Sequence, residues 1–410
     1  MNWKLIRVID AYAGIPLVYV LAGLRRVFSR TARRRAEPLV RTILLVKFWG
    51  IGNLFMMLPS VAALRRTYPC ASIDLLTLES SRKAAECTNA FDRIATVNTR
   101  GVLDFLRTTG EVITALRHRQ YDVIVDFEQF ARFSALCIAS IGAKRSIGFR
   151  TAGQHRDILY AQPVPYDNTI HITRSYRSLA MAAGAAAGPI ETSGLFFPPS
   201  AGENECATGV RARLGIGADP YVIFHVGTSD NFLERRWPAA DYASFANLLA
   251  ENRGVRIVLT GLAEEGFIAA EIMGLVSKHD RTVNASGSVS FQEYFELIRW
   301  SRLVVSADTA AVHIASAIGV PVVGLYGPNT PQLYGPWGER GLAVYRQLSC
   351  SPCITNFNAK THNCRHPEGK GACMKKIGAD EVYQMIEENY GDLLDSPGPA
   401  KQERVEPCSR

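Results

Sequence analysis

The stretch Leu303-Val-Val-Ser306-Ala-Asp308-Thr309-Ala-Ala-Val-His313-Ile-Ala-Ser-Ala-Ile-Gly319-Val-Pro321-Val-Val-Gly-Leu325-Tyr-Gly327-Pro328 reads as strand, helix, strand. Short β-branched runs flanking an amphipathic helix argue for a parallel sheet covered by helices. Upstream, the runs Tyr221–Val226 and Val255–Thr260 continue the alternation, with helices predicted near 238–252, 263–277, 290–300 and 309–318. The pattern also occurs once earlier. Ile43–Phe48, Ile73–Leu78, Ile94–Val97 and Asp122–Asp126 read as strands, and 54–67, 81–89, 101–118, 130–141 and 172–187 as helices. Between the two halves, residues 192–220 carry Phe-Phe-Pro-Pro and Gly-Ile-Gly-Ala-Asp-Pro, a linker with one helix inside it. The prediction is an α/β chain of two doubly wound, Rossmann-like domains over 42–200 and 215–378, with a C-terminal helix and polar tail over 379–410. Two such domains place a ligand cleft between them at the carboxyl ends of their strands, so the loops after the strands are where a site is expected.

The composition fits a soluble protein of that size. The 410 residues are 47% hydrophobic and 20% charged, which excludes disorder, collagen and small disulfide scaffolds. The net charge of +8 invites a nucleic-acid partner until its location is read. Residues 1–41 hold nine basic side chains against Asp10 and Glu37, so +7 of the +8 lies there and the other 369 residues are nearly neutral. Within that leader, Ala11–Leu24 is uncharged and apolar, but too short to cross a bilayer. Asp10 and the arginines Arg25, Arg26 and Arg33–Arg35 do not suit a cleaved signal. The leader is read as a basic amphipathic segment lying on an anionic membrane surface, which removes nucleic acid as a partner. A helix packed on the protein's own surface is the other reading.

Several loops carry possible chemistry. After the first strand, Gly50-Ile-Gly52-Asn53-Leu-Phe55-Met-Met-Leu-Pro59 gives a strand, glycine turn and helix that bring backbone amides to a ligand. The dinucleotide fingerprint fails at Phe55, leaving a substrate-contacting loop or a structural turn. In the second half, His225-Val-Gly227-Thr228-Ser229 is followed by Glu234-Arg235-Arg236-Trp237-Pro238, hydroxyl and guanidinium groups that suit phosphate oxygens. Thr260-Gly-Leu-Ala-Glu264-Glu265 places acids at a helix start. Asp308 can be a helix N-cap with His313 half-buried one turn on, or both can face a ligand. Cys350, Cys353, Cys364 and Cys373 are clustered, with free thiols, a structural zinc and two disulfides all open.

Together these motifs resemble the glycosyltransferase family 9 heptosyltransferases, GT-B enzymes that act on ADP-heptose. The resemblance runs over about residues 42–390. It rests on the opening Gly-Ile-Gly, the Tyr121–Asp126 strand, Gly142-Ala-Lys-Arg-Ser-Ile-Gly148-Phe, Arg-Arg-Trp-Pro, the Asp-Thr-x-x-x-His helix start, Gly327-Pro328 and Cys-Ser-Pro-Cys. It implies that Thr228, Ser229, Arg235, Asp308, Thr309 and His313 contact the donor, with Glu264 or Glu265 near its ribose, and that Gly50, Gly52 and Asn53 form the acceptor loop. It implies a sugar-nucleotide donor, an ADP-sugar foremost, with no metal needed for catalysis. The acceptor would be a lipopolysaccharide-core or other lipid-linked glycan at the cytoplasmic face of the inner membrane.

Two positions depart from the family. Arg235 replaces the usual lysine and keeps its charge, suiting it to a departing diphosphate. Asn53 replaces the aspartate proposed as base, and an amide takes up no proton near neutral pH. Glu128, beyond the Tyr121–Asp126 strand, is the substitute base on this reading, with Asp126 more suited to anchoring its own turn. The rival reading is a GT-B-like protein that binds sugar nucleotide or glycan without turnover. A nucleotide-dependent epimerase or dehydrogenase is a third.

Overall fold

The computed structural model describes residues 10, 12–28, 39–188, 196–197, 205–228, 232–355 and 363–395. The chain divides into two compact units, Met1–Glu191 and Thr192–Arg410.

In the first unit, six strands lie in the order β3-β2-β1-β4-β5-β6. They are β1 Thr42–Val46, β2 Ser72–Leu78, β3 Arg93–Val97, β4 Tyr121–Asp126, β5 Ala143–Arg150 and β6 Gln162–Pro165. The second unit holds β7 Tyr221–His225, β8 Arg256–Thr260, β9 Thr282–Asn284, β10 Leu303–Ala307, β11 Val322–Tyr326 and β12 Gly341–Tyr345. Its order is β12-β11-β10-β7-β8-β9, so counted from its own first strand each sheet runs 3-2-1-4-5-6. All the pairings are parallel. Central strands are covered on both faces, which is why β1 and β10 read as unbroken apolar runs; Ile43, Leu44, Leu45 and Val46 are fully buried. This is the doubly wound order, and it brings the loops after β1 and β4 to one edge of the first sheet and those after β7, β8 and β10 to one edge of the second.

The helix predicted over 54–67 is two helices, Ile51–Met56 and Leu58–Thr67, with Pro59 in the first turn of the second. Proline lacks the N–H that a continuous helix would use there but fits a first turn. Gly50 takes a left-handed φ of 88°, and a Cβ on it would sit 2.6 Å from Asn53 Nδ2.

Helix Gly14–Phe28 packs on helix Arg132–Ile141, burying Val18 and Ala22 in the first unit's core. Gly14 lets it approach, since a Cβ there would meet Arg132 Cδ at 2.9 Å. Asp10 accepts from the Phe133 amide at 2.8 Å and the Arg132 amide at 3.2 Å. It thereby tethers the leader to a helix start, where an acid is favoured. The leader thus packs on the protein's own surface, yet Leu17, Val20 and Leu24 remain about half exposed on its outer side. Arg30 and Arg33–Arg35 lie outside the described residues, among which no helix is long and apolar enough to cross a membrane. Helix Ala379–Asp395 joins the second core through Val382, Ile386, Tyr390 and Leu394.

Candidate functional site

In the second unit, the ends of β7, β8 and β10 are stitched together by two buried side chains. Glu265 Oε1 accepts from the Thr228 amide at 2.8 Å and Oε2 from the Leu262 amide at 3.0 Å. Gly227 makes room for this carboxylate, with which a Cβ at that position would collide. Arg235 donates to the Asp308 carbonyl at 2.8 Å, the Thr228 carbonyl at 2.5 Å and the Phe232 carbonyl at 3.4 Å. Its guanidinium therefore serves backbone carbonyls from three segments, of which that of Phe232 also accepts from the Arg235 amide at 3.3 Å. The two glutamates are divided: Glu265 is structural, while Glu264 is exposed on the strand-end surface.

The start of helix Ala310–Ile318 departs from the simple capping expectation. Thr309, not Asp308, is the N-cap, its side chain accepting from the Ala311 amide. Asp308 instead accepts from Asn329 Nδ2 at 2.7 Å, with Arg235 Nη1 3.7 Å away. His313 is buried at 4% exposure rather than half-buried. Ser229 lies outside the described residues. The residue that motif reading passed over is Arg236. It is half-buried, donates from Nε to Thr228 Oγ1 at 3.2 Å, and sits over the exposed Phe267 ring at 5.5 Å. The Arg-Arg doublet was visible in sequence, but which arginine turns inward was not.

His225 ends β7 behind this surface, its Nδ1 3.2 Å from Thr260 Oγ1 and 3.1 Å from the Tyr294 hydroxyl. Burial lowers its pKa to about 4, against the pull of Glu265. The native histidine refuses a proton that the unfolded chain takes below about 6.5. Its contribution to stability is full above that pH and lost as pH falls through about 4. Urea unfolding should show a loss on the order of 2 kcal/mol across this window, and His225→Gln should flatten that part of the profile.

In the first unit, the loop after β1 rests on a buried polar network. Glu128 Oε1 accepts from the Phe48 amide at 2.7 Å and the Trp49 amide at 3.0 Å, while Oε2 pairs with Lys47 Nζ at 3.0 Å. Lys47 also reaches Gln129, whose amide donates to Tyr176, and the Tyr176 hydroxyl donates to Asn53 Oδ1 at 3.2 Å. Burial lowers the Lys47 pKa while Glu128 opposes the shift. Asp126 is more deeply engaged, accepting from Arg156 at 2.5 Å, Tyr160 at 2.6 Å and the Glu128 amide at 3.0 Å. Both oxygens of Glu128 are thus committed to holding the loop. That arrangement fits a positioning group better than the proton acceptor expected from its place after β4. Asn53, Gly50 and Gly52 stand where the sequence put them, at the start of helix Ile51–Met56.

Cys350, Cys353, Cys364 and Cys373 line one small cavity, with Phe232, Glu234 and His366. All four are free thiols rather than disulfides. Burial and the neighbouring Cys350 push the Cys353 thiol up to about 12. Among the described residues no group of three or more His, Cys, Asp and Glu is arranged to hold a metal ion.

The same loops identify the lineage. The family model described as glycosyltransferase family 9 (heptosyltransferase) matches residues 110–362, which span β4 with Asp126 and Glu128, the site of the second unit and the first two clustered cysteines. The chain belongs to glycosyltransferase family 9. It is similar to lipopolysaccharide heptosyltransferase 1 of Salmonella typhimurium, 26% identical over 319 residues that cover 76% of this chain and 94% of that protein. Among solved structures, a family 9 glycosyl transferase from Veillonella parvula superposes with a TM-score of 0.72 at 18% identity, covering 88% of this chain and 99% of that one. The E. coli heptosyltransferase WaaC, solved with ADP, gives 0.64 at 20% identity, covering 85% and 99%. The architecture of this family 9 glycosyltransferase is GT-B, two Rossmann-like units each carrying one parallel sheet.

Proposed function

We propose that the protein is an inverting transferase that moves heptose from ADP-heptose onto a lipopolysaccharide core or another lipid-linked envelope glycan, on the cytoplasmic side of the inner membrane. The carrying observation is the braced strand-end surface of the second unit. Arg235 and Glu265 lock its backbone and Thr309 caps the helix start, while Arg236 and Glu264 are left to face a ligand. A relative named for lipopolysaccharide heptosyl transfer and a structural neighbour holding ADP support that donor and acceptor class.

In the transfer, an acceptor hydroxyl forms a bond to the anomeric carbon as the carbon–oxygen bond to the diphosphate breaks; ADP leaves with the electron pair, and the hydroxyl's proton passes to water. Arg236 donates to the departing phosphates, and the amides opening helix Ala310–Ile318 add partial positive charge. Glu264 reaches the ribose hydroxyls. In the first unit, Asn53 hydrogen-bonds the acceptor hydroxyl, and the Glu128 and Lys47 pair sets the loop that carries it. No metal is required by this scheme. The leader, with its apolar outer face and its basic residues, attaches the protein to the anionic membrane in which the acceptor is anchored.

Thermal shift tests the donor assignment. ADP-heptose at about 100 times its Kd should add about 2.7 kcal/mol of stability, whereas UDP-sugars at equal concentration should add little. Equal shifts from both would overturn it.

Asn53 favours a second reading, a protein that binds donor and acceptor without turnover. Asn53→Asp separates the two. On the proposed function the wild type already releases ADP and the variant does so faster, by about tenfold or more. Turnover confined to the variant would establish the second reading.

A further inference from the structure

The first turn of helix Val102–Arg117 exposes Val102, Leu103 and Leu106 at 50%, 83% and 61%. Three neighbouring aliphatic side chains held in water at a helix start need an occupant, because each forgoes the free energy of burial. Their place in the fold says which one. The helix follows β3, whose carboxyl end lies on the same edge of the parallel sheet as the Asn53 loop. Phe105, within this turn, packs on Phe133 with ring centroids 4.8 Å apart, and Phe133 packs on Trp49, next to Gly50, at 6.3 Å. The backbone amide of Phe133 is the one held by Asp10 of the leader. Phe133 thus joins the exposed turn and the acceptor loop through its ring and the leader through its backbone amide. The exposed Arg100 and Arg107 flank the turn, but Asp104 lies within it and Arg107 pairs with Glu111 at 3.2 Å, so the aliphatic side chains rather than net charge are what the turn offers a membrane, and the basic leader supplies the preference for anionic lipid.

We propose that this turn is a second bilayer-inserting element, placing Leu103 and Leu106 in the acyl boundary of an anionic membrane beside the acceptor loop. The inference rests on the membrane attachment proposed above and extends it from the leader to the folded body. With two points of contact the first unit is oriented as well as tethered. The strand-end edge then faces the headgroups, where the sugar of a lipid-anchored acceptor emerges.

The test uses the full-length protein and glycan-free vesicles of phosphatidylcholine, with and without phosphatidylglycerol. Leu103→Trp should gain fluorescence that acyl-brominated lipid quenches. Leu103→Gln/Leu106→Gln should weaken partitioning onto the anionic vesicles about tenfold or more. The double variant should keep the wild-type melting temperature, since both side chains are already in water. Leu17→Gln/Val20→Gln, in the leader, reports the attachment reading separately. If that leader variant loses binding while the Leu103/Leu106 variant partitions normally and Leu103→Trp is unquenched, attachment stands and the second element is refuted. If the wild type binds neither vesicle, the attachment reading falls and takes this one with it. Quenching that appears only when a glycolipid acceptor is added would assign the patch to the acceptor's own acyl chains, which also overturns the bilayer proposal.

Discussion

Arg156→Met is expected to lower the unfolding free energy by about 3–5 kcal/mol, because it strands a buried carboxylate. Arg156 and Asp126 are both fully buried, and their ion pair is closed by the Tyr160 hydroxyl, which donates to Asp126 while Arg156 donates to Tyr160. Burial alone pushes the Asp126 pKa up, and the neighbouring guanidinium opposes that. Removing the guanidinium leaves the carboxylate to protonate or to draw in water. The damage should reach the acceptor loop, since Asp126 holds the Glu128 amide and Glu128 holds those of Phe48 and Trp49. Urea unfolding checks the size. Asp126→Asn in the Arg156→Met background should recover part of the loss, whereas two independent sites would add their costs. A loss under 1 kcal/mol for the single variant would show that the pair does not brace the first unit.

The second large effect separates two adjacent arginines. Arg236→Met should reduce kcat/KM by about 10²–10³, the usual cost of removing one donor aimed at developing charge. Its stability should change by no more than about 0.5 kcal/mol, because the side chain is half-exposed and its contacts among the described residues are a hydrogen bond to Thr228 and the exposed Phe267 ring. Arg235→Met should do the reverse in kind. It strips the guanidinium from the Thr228 and Asp308 carbonyls, at about 1–3 kcal/mol for each one left buried and unpaired, while the Phe232 carbonyl keeps the residue 235 amide, and any loss of activity should follow the loss of fold. Steady-state kinetics paired with thermal unfolding of both variants decides the matter. An Arg236 variant with wild-type turnover would return the leaving-group role to Arg235.

That contrast also marks where sequence reading stopped. The buried central strands were legible because a parallel strand covered on both faces must be apolar along its whole length, as in Ile43–Val46 and Leu303–Val305. Four strands gave no such signal. β6 is Gln-Pro-Val-Pro at a sheet edge, where proline is tolerated, and β9 has three residues. β5 opens on Ala-Lys-Arg-Ser and is only partly buried there, and β12 closes the other sheet edge, half-exposed. In the site, the motifs located the right loops, because glycines and small hydroxyl residues after strands have few other uses. They did not show direction. Glu264 and Glu265 are adjacent, as are Arg235 and Arg236, and which of each pair turns inward depends on Gly227 and on carbonyls supplied by other strands. Glu128 carried the chemistry of a base in sequence, and only the folded chain reveals the two amides and the lysine that occupy it.

ADP release from ADP-heptose by the purified full-length wild type, measured with and without a heptose-free lipopolysaccharide acceptor in anionic vesicles, tests the central claim most directly. The account predicts ADP formed in step with heptose appearing on the acceptor, and only when both substrates are present. Saturable ADP-heptose binding with no acceptor-dependent ADP release would contradict it.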